Sequence, residues 1–289
     1  MNFLGFDHTY KESKFIVVPV EYGDGVSLRR GTHLAPKRIL KYSYHLDDFD
    51  TELGFCPSQA GIHTLHSLSK RKKEKTMPFF RRLQNKILSI LKDGKIPVVI
   101  GGEHTISFPC VQTVKEYSAE EKFGVLIFDA HADMRNVYGG SEFSHACTVN
   151  LISKVTDNFL NIGVRSVSPE EIEKIRKNNL DKKFLFMEFL RSGGSIDKRE
   201  IEKSIIKLPE RVWISIDLDV LDPSCIPSVS TPEPGGFLFN EFIWILQLLC
   251  KKKKVIGFDV VELCPHRDLI HSEITTAKII YKLIGFIQR

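Results

Sequence analysis

Two carboxylates and an imidazole follow an apolar segment at regular spacing. In FGVLIFDAHADMRN (123–136), the apolar residues 125–128 are followed by Asp129, His131 and Asp133. Side chains at every second position of an extended chain share one face, so we expect these three to point to the same place. Carboxylate oxygens and imidazole nitrogens are common ligands of divalent metal ions. The segment therefore predicts a metal site at the end of a buried strand.

Two other apolar segments end in the same residue types. Asp217 and Asp219 follow WISI (213–216), and His104 follows shortly after IPVVIGG (96–102). One such acid is often only the cap of a helix, and one buried histidine is often only hydrogen-bonded, but three strand ends together favour a metal site. We predict six metal ligands: His104, Asp129, His131, Asp133, Asp217 and Asp219.

The predicted ligands also indicate the kind of metal. Four carboxylates in one pocket would repel each other strongly, and one or two divalent cations would remove that repulsion. Sites rich in oxygen with a minority of imidazole suit Mn²⁺ better than zinc, whose structural sites favour cysteine and histidine. Two ions bridged by carboxylates would form a binuclear hydrolytic centre.

Short apolar segments alternate with longer amphipathic segments along the chain. We predict strands at 15–20, 96–102, 123–130, 159–166, 183–187, 211–220 and 254–263, and helices at 78–93, 169–179, 197–207, 240–252 and 273–288. Apolar strands separated by helices indicate an α/β fold whose parallel sheet is covered on both sides. Ligands of such sheets bind beyond the carboxyl ends of the strands, where the polar residues occur. Because no linker, repeat or low-complexity segment interrupts the pattern, we expect one domain over residues 1–289.

Composition and charge are ordinary for a globular protein. The 289 residues are 42% hydrophobic and 27% charged, with a formal net charge of +5. Basic runs at 70–75 and 251–254 lack interleaved aromatic residues and are typical of solvated surface rather than a nucleic-acid site. The N-terminus lacks a signal-peptide pattern, no apolar segment is long enough to cross a bilayer, and six scattered cysteines form no CxxC pair. We expect a cytoplasmic protein with reduced thiols and neither nucleic-acid nor membrane partners.

Three long motifs resemble those of a known enzyme family. GGEH (101–104), DAHAD (129–133) and SIDLDVLDPSCIPSVSTPEPGG (215–236) look like the signature motifs of the ureohydrolases, the arginase and agmatinase family. GDGVSLRRGTHLAPKRIL (23–40) and FDVVELCP (258–265) resemble two further segments of that family, so the resemblance covers nearly the whole chain. It implies a three-layer α/β/α sandwich around a mostly parallel sheet, and a homo-oligomer, either a trimer or a hexamer.

The resemblance also implies a role for each predicted ligand. One Mn²⁺ would be held by His104, Asp129, Asp133 and Asp217, and the other by His131, Asp129, Asp217 and Asp219, which gives two ions per chain. A hydroxide formed between the ions would attack the central carbon of a guanidinium group, and the tetrahedral intermediate would collapse to urea and an amine. Asp133 is then expected to pass the proton to the leaving nitrogen.

Four other residues are expected at the substrate. Glu262 matches the family glutamate that pairs with the guanidinium group, and His145 matches its proton-shuttling histidine. Without the resemblance, Glu262 is equally well a capping acid, and an isolated histidine such as His145 is more often structural. We also expect Thr231, in the proline- and glycine-rich loop 230–236, and Arg135 to contact the substrate.

The segment that follows DAHAD bears on the choice of substrate. MRNVYGGSEFSHA (134–146) lacks the arginase pattern that binds the α-carboxylate and α-amine of arginine, and resembles the agmatinase branch of compact bacterial and archaeal chains. The predicted reaction is agmatine to putrescine and urea. If Arg135 enters the pocket, an acidic tail such as that of guanidinobutyrate or formimidoylglutamate becomes the alternative, with arginine as a third. Outside this class, a one-zinc deacetylase of acetylated amines would keep an Asp-x-His pair but not six ligands.

Overall fold

The computed structural model describes residues 1–24, 28–191 and 194–289, and within them one parallel sheet dominates the fold. Its strands are β1 (Phe15–Glu21), β2 (Ile62–Thr64), β3 (Leu68–Ser69), β4 (Ile96–Ile100), β5 (Phe123–Phe128), β6 (Phe159–Val164), β7 (Phe184–Phe186), β8 (Arg211–Asp217) and β9 (Lys254–Val261). The order is β2-β1-β4-β9-β8-β5-β6-β7, with β3 also paired to β1. All seven predicted strands are confirmed. The sequence missed β2 and β3, because segments of two and three residues are too short to show a periodic pattern.

Helices connect the strands. They are α1 (Ala35–Ser43), α2 (Thr76–Lys92), α3 (Ser107–Ser118), α4 (Thr148–Ser153), α5 (Pro169–Lys177), α6 (Met187–Leu190), α7 (Lys198–Ile206), α8 (Phe239–Lys252) and α9 (His271–Gln288). The five predicted helices correspond to α2, α5, α7, α8 and α9. We missed α3 because most of its residues are buried, so it lacks an amphipathic stripe, and because Pro109, tolerated in its first turn, suggests a break.

Alternate residues of the strands face two separate cores. In β1, Phe15 and Val17 pack with α1 and α6–α9, whereas Ile16 and Val18 pack with α2–α5. Both faces of the sheet are therefore covered by helices, which confirms the predicted three-layer α/β/α arrangement. Among the described residues, no helix is both long and apolar enough to cross a membrane.

Six of the seven predicted strands end earlier than the sequence predicted, and at β4, β5, β8 and β9 the difference lies where the polar residues begin. β5 ends at Phe128 instead of residue 130, so Asp129, His131 and Asp133 do not continue a regular strand. We predicted that these three side chains converge because they alternate along one face of a strand, and that explanation is wrong. Asp133 has a positive φ of 49°, which turns the chain sharply. Such a conformation costs about 1–3 kcal/mol in a non-glycine residue and persists only where its surroundings impose it.

Strand order brings distant residues together. β4, β9, β8 and β5 are consecutive neighbours at the centre of the sheet, and they pair with one another in parallel. Their carboxyl ends therefore lie on one edge, where ligands of parallel sheets bind. The predicted site residues follow these four strands, although they are spread from position 104 to position 262.

Candidate metal centre and active site

His104 lies at the centre of a group of carboxylates. It begins a short 3-10 turn (His104–Ile106) beyond β4, and it is fully buried. Its Nδ1 is 3.1 Å from Asp133 Oδ2 and 3.3 Å from both Asp129 Oδ2 and Asp217 Oδ2. The glycine before this turn is required by close packing, because a Cβ on Gly102 would lie 1.9 Å from the carbonyl oxygen of Tyr22.

His131 forms a second group beside the first. Its Nδ1 is 2.9 Å from Asp219 Oδ2 and 3.6 Å from Asp129 Oδ1. Asp219 lies in the 3-10 turn Leu218–Val220 after β8, and its other oxygen accepts a hydrogen bond from Ala130 N at 3.0 Å. Asp129 thus directs one carboxylate oxygen to each imidazole.

Two sets of potential ligand atoms are close enough to hold an ion each. The donor atoms within each set lie within 4.8 Å of one another, and the sets are His104, Asp129 and Asp217, and Asp129, His131 and Asp219. Asp129 belongs to both. Asp217 belongs only to the first, and Asp133 joins neither set although it lies beside His104.

The electrostatics of the six residues call for a cation. Burial and neighbouring carboxylates raise the pKa of Asp133 and Asp217 well above their usual range. Burial lowers the pKa of His131, but the nearby Asp219 and Asp129 carboxylates outweigh it and raise the pKa to about 12. Asp129 Oδ2 is buried without a hydrogen-bond partner. Without a metal ion, only bound protons could neutralise the charge of these carboxylates. A divalent ion would replace the protons and would also bind the unpartnered Asp129 Oδ2.

Glu262 follows β9 and faces the same edge. Its backbone has a positive φ of 66°. Oε1 accepts a hydrogen bond from His104 N at 2.7 Å, and Oε2 accepts one from Ser230 Oγ at 2.5 Å. Burial and the charge of Glu103 raise the pKa of Glu262 to about 7. Glu262 is therefore oriented by two donors and touches the backbone of one of the predicted ligands.

His145 lies between two cavities. One, of about 210 Å³, is lined by Glu103, Glu262 and Ser230 among others, and the other, of about 370 Å³, by His131, Asp133, Arg135 and Thr231 among others. The backbone N of His145 donates to Glu103 Oε1 at 3.1 Å. Burial, and then the charges of His104 and His131, lower the pKa of His145 to about 4. Its imidazole is therefore neutral near pH 7.

Thr231 and Arg135 lie on the wall of the larger cavity. Thr231 Oγ1 donates to Asp219 Oδ2 at 3.2 Å, so its hydroxyl also supports one of the predicted metal ligands. The Arg135 guanidinium lies 5.5 Å from the ring centre of Tyr138, and Nη1 is 4.0 Å from Glu170 Oε2. Arg135 therefore lines the cavity, but its guanidinium already lies near the carboxylate of Glu170.

Arg165 is a supporting residue that the sequence did not reveal. It follows β6, and its guanidinium donates to the carbonyl oxygens of Asp219 at 2.6 Å, Glu233 at 2.6 Å and Pro234 at 3.0 Å. These bonds join the turn that carries Asp219 to the loop 230–236. The only signal was an arginine directly after an apolar strand, which by itself identifies no partner.

We expect Arg165→Lys to loosen this junction. Lysine keeps the charge but cannot reach several carbonyls with a planar fork, so the folded state should lose about 1–3 kcal/mol. The measurement is thermal melting. Arg211→Lys is the matched control, because Arg211 makes a surface ion pair with Glu121, and such pairs contribute about 0–1 kcal/mol. Equal melting temperatures for the two variants would contradict the assignment.

A parallel sheet with two carboxylate–imidazole groups at its carboxyl edge is an arrangement that suits the binding of divalent metal ions. The sequence model described as the arginase family matches residues 13–285, and the chain belongs to this family. The resemblance inferred from the motifs is thereby confirmed. Of the motif at 23–40, residues 25–27 lie outside the described part of the structure.

Individual relatives cover almost the full chain. The N(1)-aminopropylagmatine ureohydrolase of Synechocystis sp. is 33% identical over 283 residues, which is 96% of this chain and 90% of the relative. The agmatinase of Pyrococcus horikoshii is 28% identical over 284 residues, 96% of this chain and 94% of that protein. Among solved structures, the agmatine ureohydrolase of Thermoplasma volcanium is 28% identical and superimposes with a TM-score of 0.83, covering 97% of this chain and 92% of that one.

Proposed function

We propose that the protein hydrolyses a guanidino compound to urea and an amine, with agmatine as substrate and putrescine as product. The observation that carries the proposal is the cluster of four carboxylates and two imidazoles at the ends of β4, β5 and β8, with Glu262 beside it. Membership of the arginase family and relatives named agmatinase and N(1)-aminopropylagmatine ureohydrolase support it.

We further propose that two Mn²⁺ ions occupy the cluster. His104, Asp129, Asp133 and Asp217 would hold one, and His131, Asp129, Asp217 and Asp219 the other. The unpartnered Asp129 Oδ2 supports a bound cation, and the oxygen-rich set of donors supports manganese over zinc. Bound there, the ions would lower the pKa of a water molecule enough to supply hydroxide near neutral pH.

The residues around the cluster have complementary roles in the proposal. Glu262 accepts hydrogen bonds from the guanidinium group, which a carboxylate can do in a bidentate manner. Asp133 moves a proton to the leaving nitrogen, and His145, neutral near pH 7, accepts one at the mouth between the two cavities. Thr231 and Arg135 line the larger cavity, along which the remainder of the substrate would lie.

A second candidate substrate is N(1)-aminopropylagmatine. A relative at 33% identity carries that name, and the 370 Å³ cavity leaves room beyond the cluster for a longer cationic tail. The deciding experiment is urea release by the Mn²⁺-loaded protein from agmatine, N(1)-aminopropylagmatine, arginine and guanidinobutyrate at equal concentrations. Release from none of them would contradict the proposed function.

Metal removal provides an independent prediction. Protein stripped with a chelator should melt at a lower temperature than protein with Mn²⁺, because an ion bound only to the folded state at about 100 times its dissociation constant contributes about 2.7 kcal/mol. Metal analysis after reloading should approach two manganese ions per chain. Tight retention of a single zinc ion would instead favour the deacetylase alternative.

Cellular context and assembly stay predictions. We propose a cytoplasmic protein whose six cysteines are reduced, which fits their free state in the structure. We also propose a single domain over residues 1–289 and a homo-oligomer, a trimer or a hexamer, which binds a small guanidino compound and neither nucleic acid nor a membrane. Sedimentation analysis of the purified protein measures the number of subunits.

A further inference from the structure

Behind the proposed metal centre, His104 contacts a second buried group. Its Nδ1 faces the carboxylates of Asp129, Asp133 and Asp217, whereas its Nε2 lies 3.2 Å from Ser215 Oγ. Ser215 is on β8, two residues before Asp217, so their side chains share one face of the strand. Both His104 and Ser215 are fully buried, which leaves the imidazole held from both sides by the protein.

Ser215 in turn contacts a buried carboxylate on the next strand. Asp259 is the register partner of Ser215 in the β8–β9 ladder. Asp259 Oδ1 accepts hydrogen bonds from Ser215 Oγ at 2.8 Å and Ser107 Oγ at 2.7 Å, and Oδ2 accepts one from Trp213 Nε1 at 2.6 Å. Asp259 is thus a fully buried acid surrounded by donors.

The burial of Asp259 is unfavourable for the stability of the folded state. In the part of the chain that the structure describes, no lysine or arginine lies within ion-pair distance of it. A buried carboxylate without a cationic partner carries a large desolvation cost, and apolar packing at such a position is often at least as stable. A buried acid at this position therefore indicates a role beyond packing.

The geometry determines where the proton of His104 resides. The Ser215 hydroxyl has one hydrogen, and the strongest acceptor within its reach is the Asp259 carboxylate at 2.8 Å, ahead of Ser107 Oγ at 3.0 Å and His104 Nε2 at 3.2 Å. With that hydrogen donated to Asp259, the Ser215 oxygen accepts a hydrogen bond from His104 Nε2–H. A proton on Nε2 leaves the Nδ1 lone pair directed at the carboxylate cluster, as a metal ligand requires.

We propose that Asp259, acting through Ser215, is a positioning residue that fixes the tautomer and orientation of His104 and thereby sets the affinity of the ion bound by His104. The inference rests on the proposed metal centre. It predicts that one of the two ions depends on Asp259 and Ser215, while the ion on the side of His131 does not.

The test measures Mn²⁺ binding by the full-length, metal-stripped protein, without substrate, by calorimetry and by the magnetic-resonance signal of free Mn²⁺. Ser215→Ala removes the hydroxyl that links Asp259 to His104. Asp259→Asn replaces the carboxylate with an amide, whose NH2 group can donate to Ser215 Oγ and so reverse the direction of that hydrogen bond. Each should weaken one of the two ions by about 10–100-fold and leave the other within about twofold. Melting curves confirm that the variants fold, and Ser215→Ala, the smaller change, decides the outcome if Asp259→Asn does not fold.

Trp213→Phe is the matched control. It removes the Trp213 Nε1–H that donates to Asp259 Oδ2. The hydrogen bond between Asp259 Oδ1 and Ser215 Oγ, and the contact of Ser215 Oγ with His104 Nε2, remain. We expect a lower melting temperature with both Mn²⁺ affinities unchanged. Wild-type affinities in Ser215→Ala, or an equal loss of affinity in Trp213→Phe, would overturn the inference while the proposed function stands. Failure of the wild type to bind Mn²⁺ would overturn both.

Discussion

Asp129→Ala is expected to abolish measurable urea release and to prevent both ions from binding. Asp129 is the residue common to the two sets of donor atoms, with one oxygen 3.3 Å from His104 Nδ1 and the other 3.6 Å from His131 Nδ1. Metal ions contribute several kcal/mol to such hydrolyses, and each 1.36 kcal/mol is a factor of ten, so the loss should be about a thousandfold or more. Urea release at saturating Mn²⁺ and the number of ions per chain are the measurements.

Asp219→Ala provides the comparison, because Asp219 belongs to one set only. It should keep close to one ion per chain and more activity than Asp129→Ala. Asp197→Ala, which removes a helix cap remote from the cluster, controls for the substitution itself and should retain full activity. Two bound ions in Asp129→Ala would show that Asp129 does not bridge them.

The second large effect concerns substrate choice: agmatine should be hydrolysed with at least about a hundredfold higher kcat/KM than arginine. The two differ by one carboxylate, and a charged group buried without a partner near the acidic cluster costs at least a few kcal/mol, where each 1.36 kcal/mol is tenfold. Arg135 is the arginine on the wall of the 370 Å³ cavity that could offset this cost, but it lies 4.0 Å from Glu170. Initial rates with both substrates measure the ratio.

Arg135→Ala tests that argument directly. If Arg135 makes no contact with a substrate carboxylate, the variant should leave the ratio of kcat/KM values within a few-fold of wild type. Arg176→Ala, an exposed arginine on α5 that does not line the 370 Å³ cavity, is the matched control. A wild type that prefers arginine, together with loss of that preference in Arg135→Ala only, would show that agmatine is the wrong substrate while the hydrolytic chemistry is right.

Sequence patterns revealed the layers of the fold and the identity of the clustered residues, but not how the cluster forms. Runs such as 123–128 are apolar on both faces, so their strand character is local information. The positions of Asp133 and Glu262, in contrast, depend on backbone turns with positive φ that neighbouring strands impose. Aspartate adopts a positive φ more often than most residues, but residue type alone does not predict which aspartate does so, and glutamate has no such preference.

The supporting contacts were hidden for a different reason. Asp259 and Ser215 are 44 residues apart and meet only because β8 and β9 pair in one register. Arg165 likewise meets carbonyl oxygens 54 to 69 positions away. Motifs identify residues that act at one place, whereas contacts of this kind follow from strand order and register, which a single sequence does not display.

The strand order also has a consequence for how the protein is made. β4 and β5 carry four of the six clustered residues beyond their ends, yet β9 and β8, which are synthesised much later, lie between them. A nascent chain that ends before β8 has no means of setting the distance between these two strands. Its β4 and β5 present unpaired edges that invite pairing with other chains. The proposed metal centre would therefore be completed only in the last stage of synthesis, when the final third of the chain supplies the two strands at the centre of the sheet.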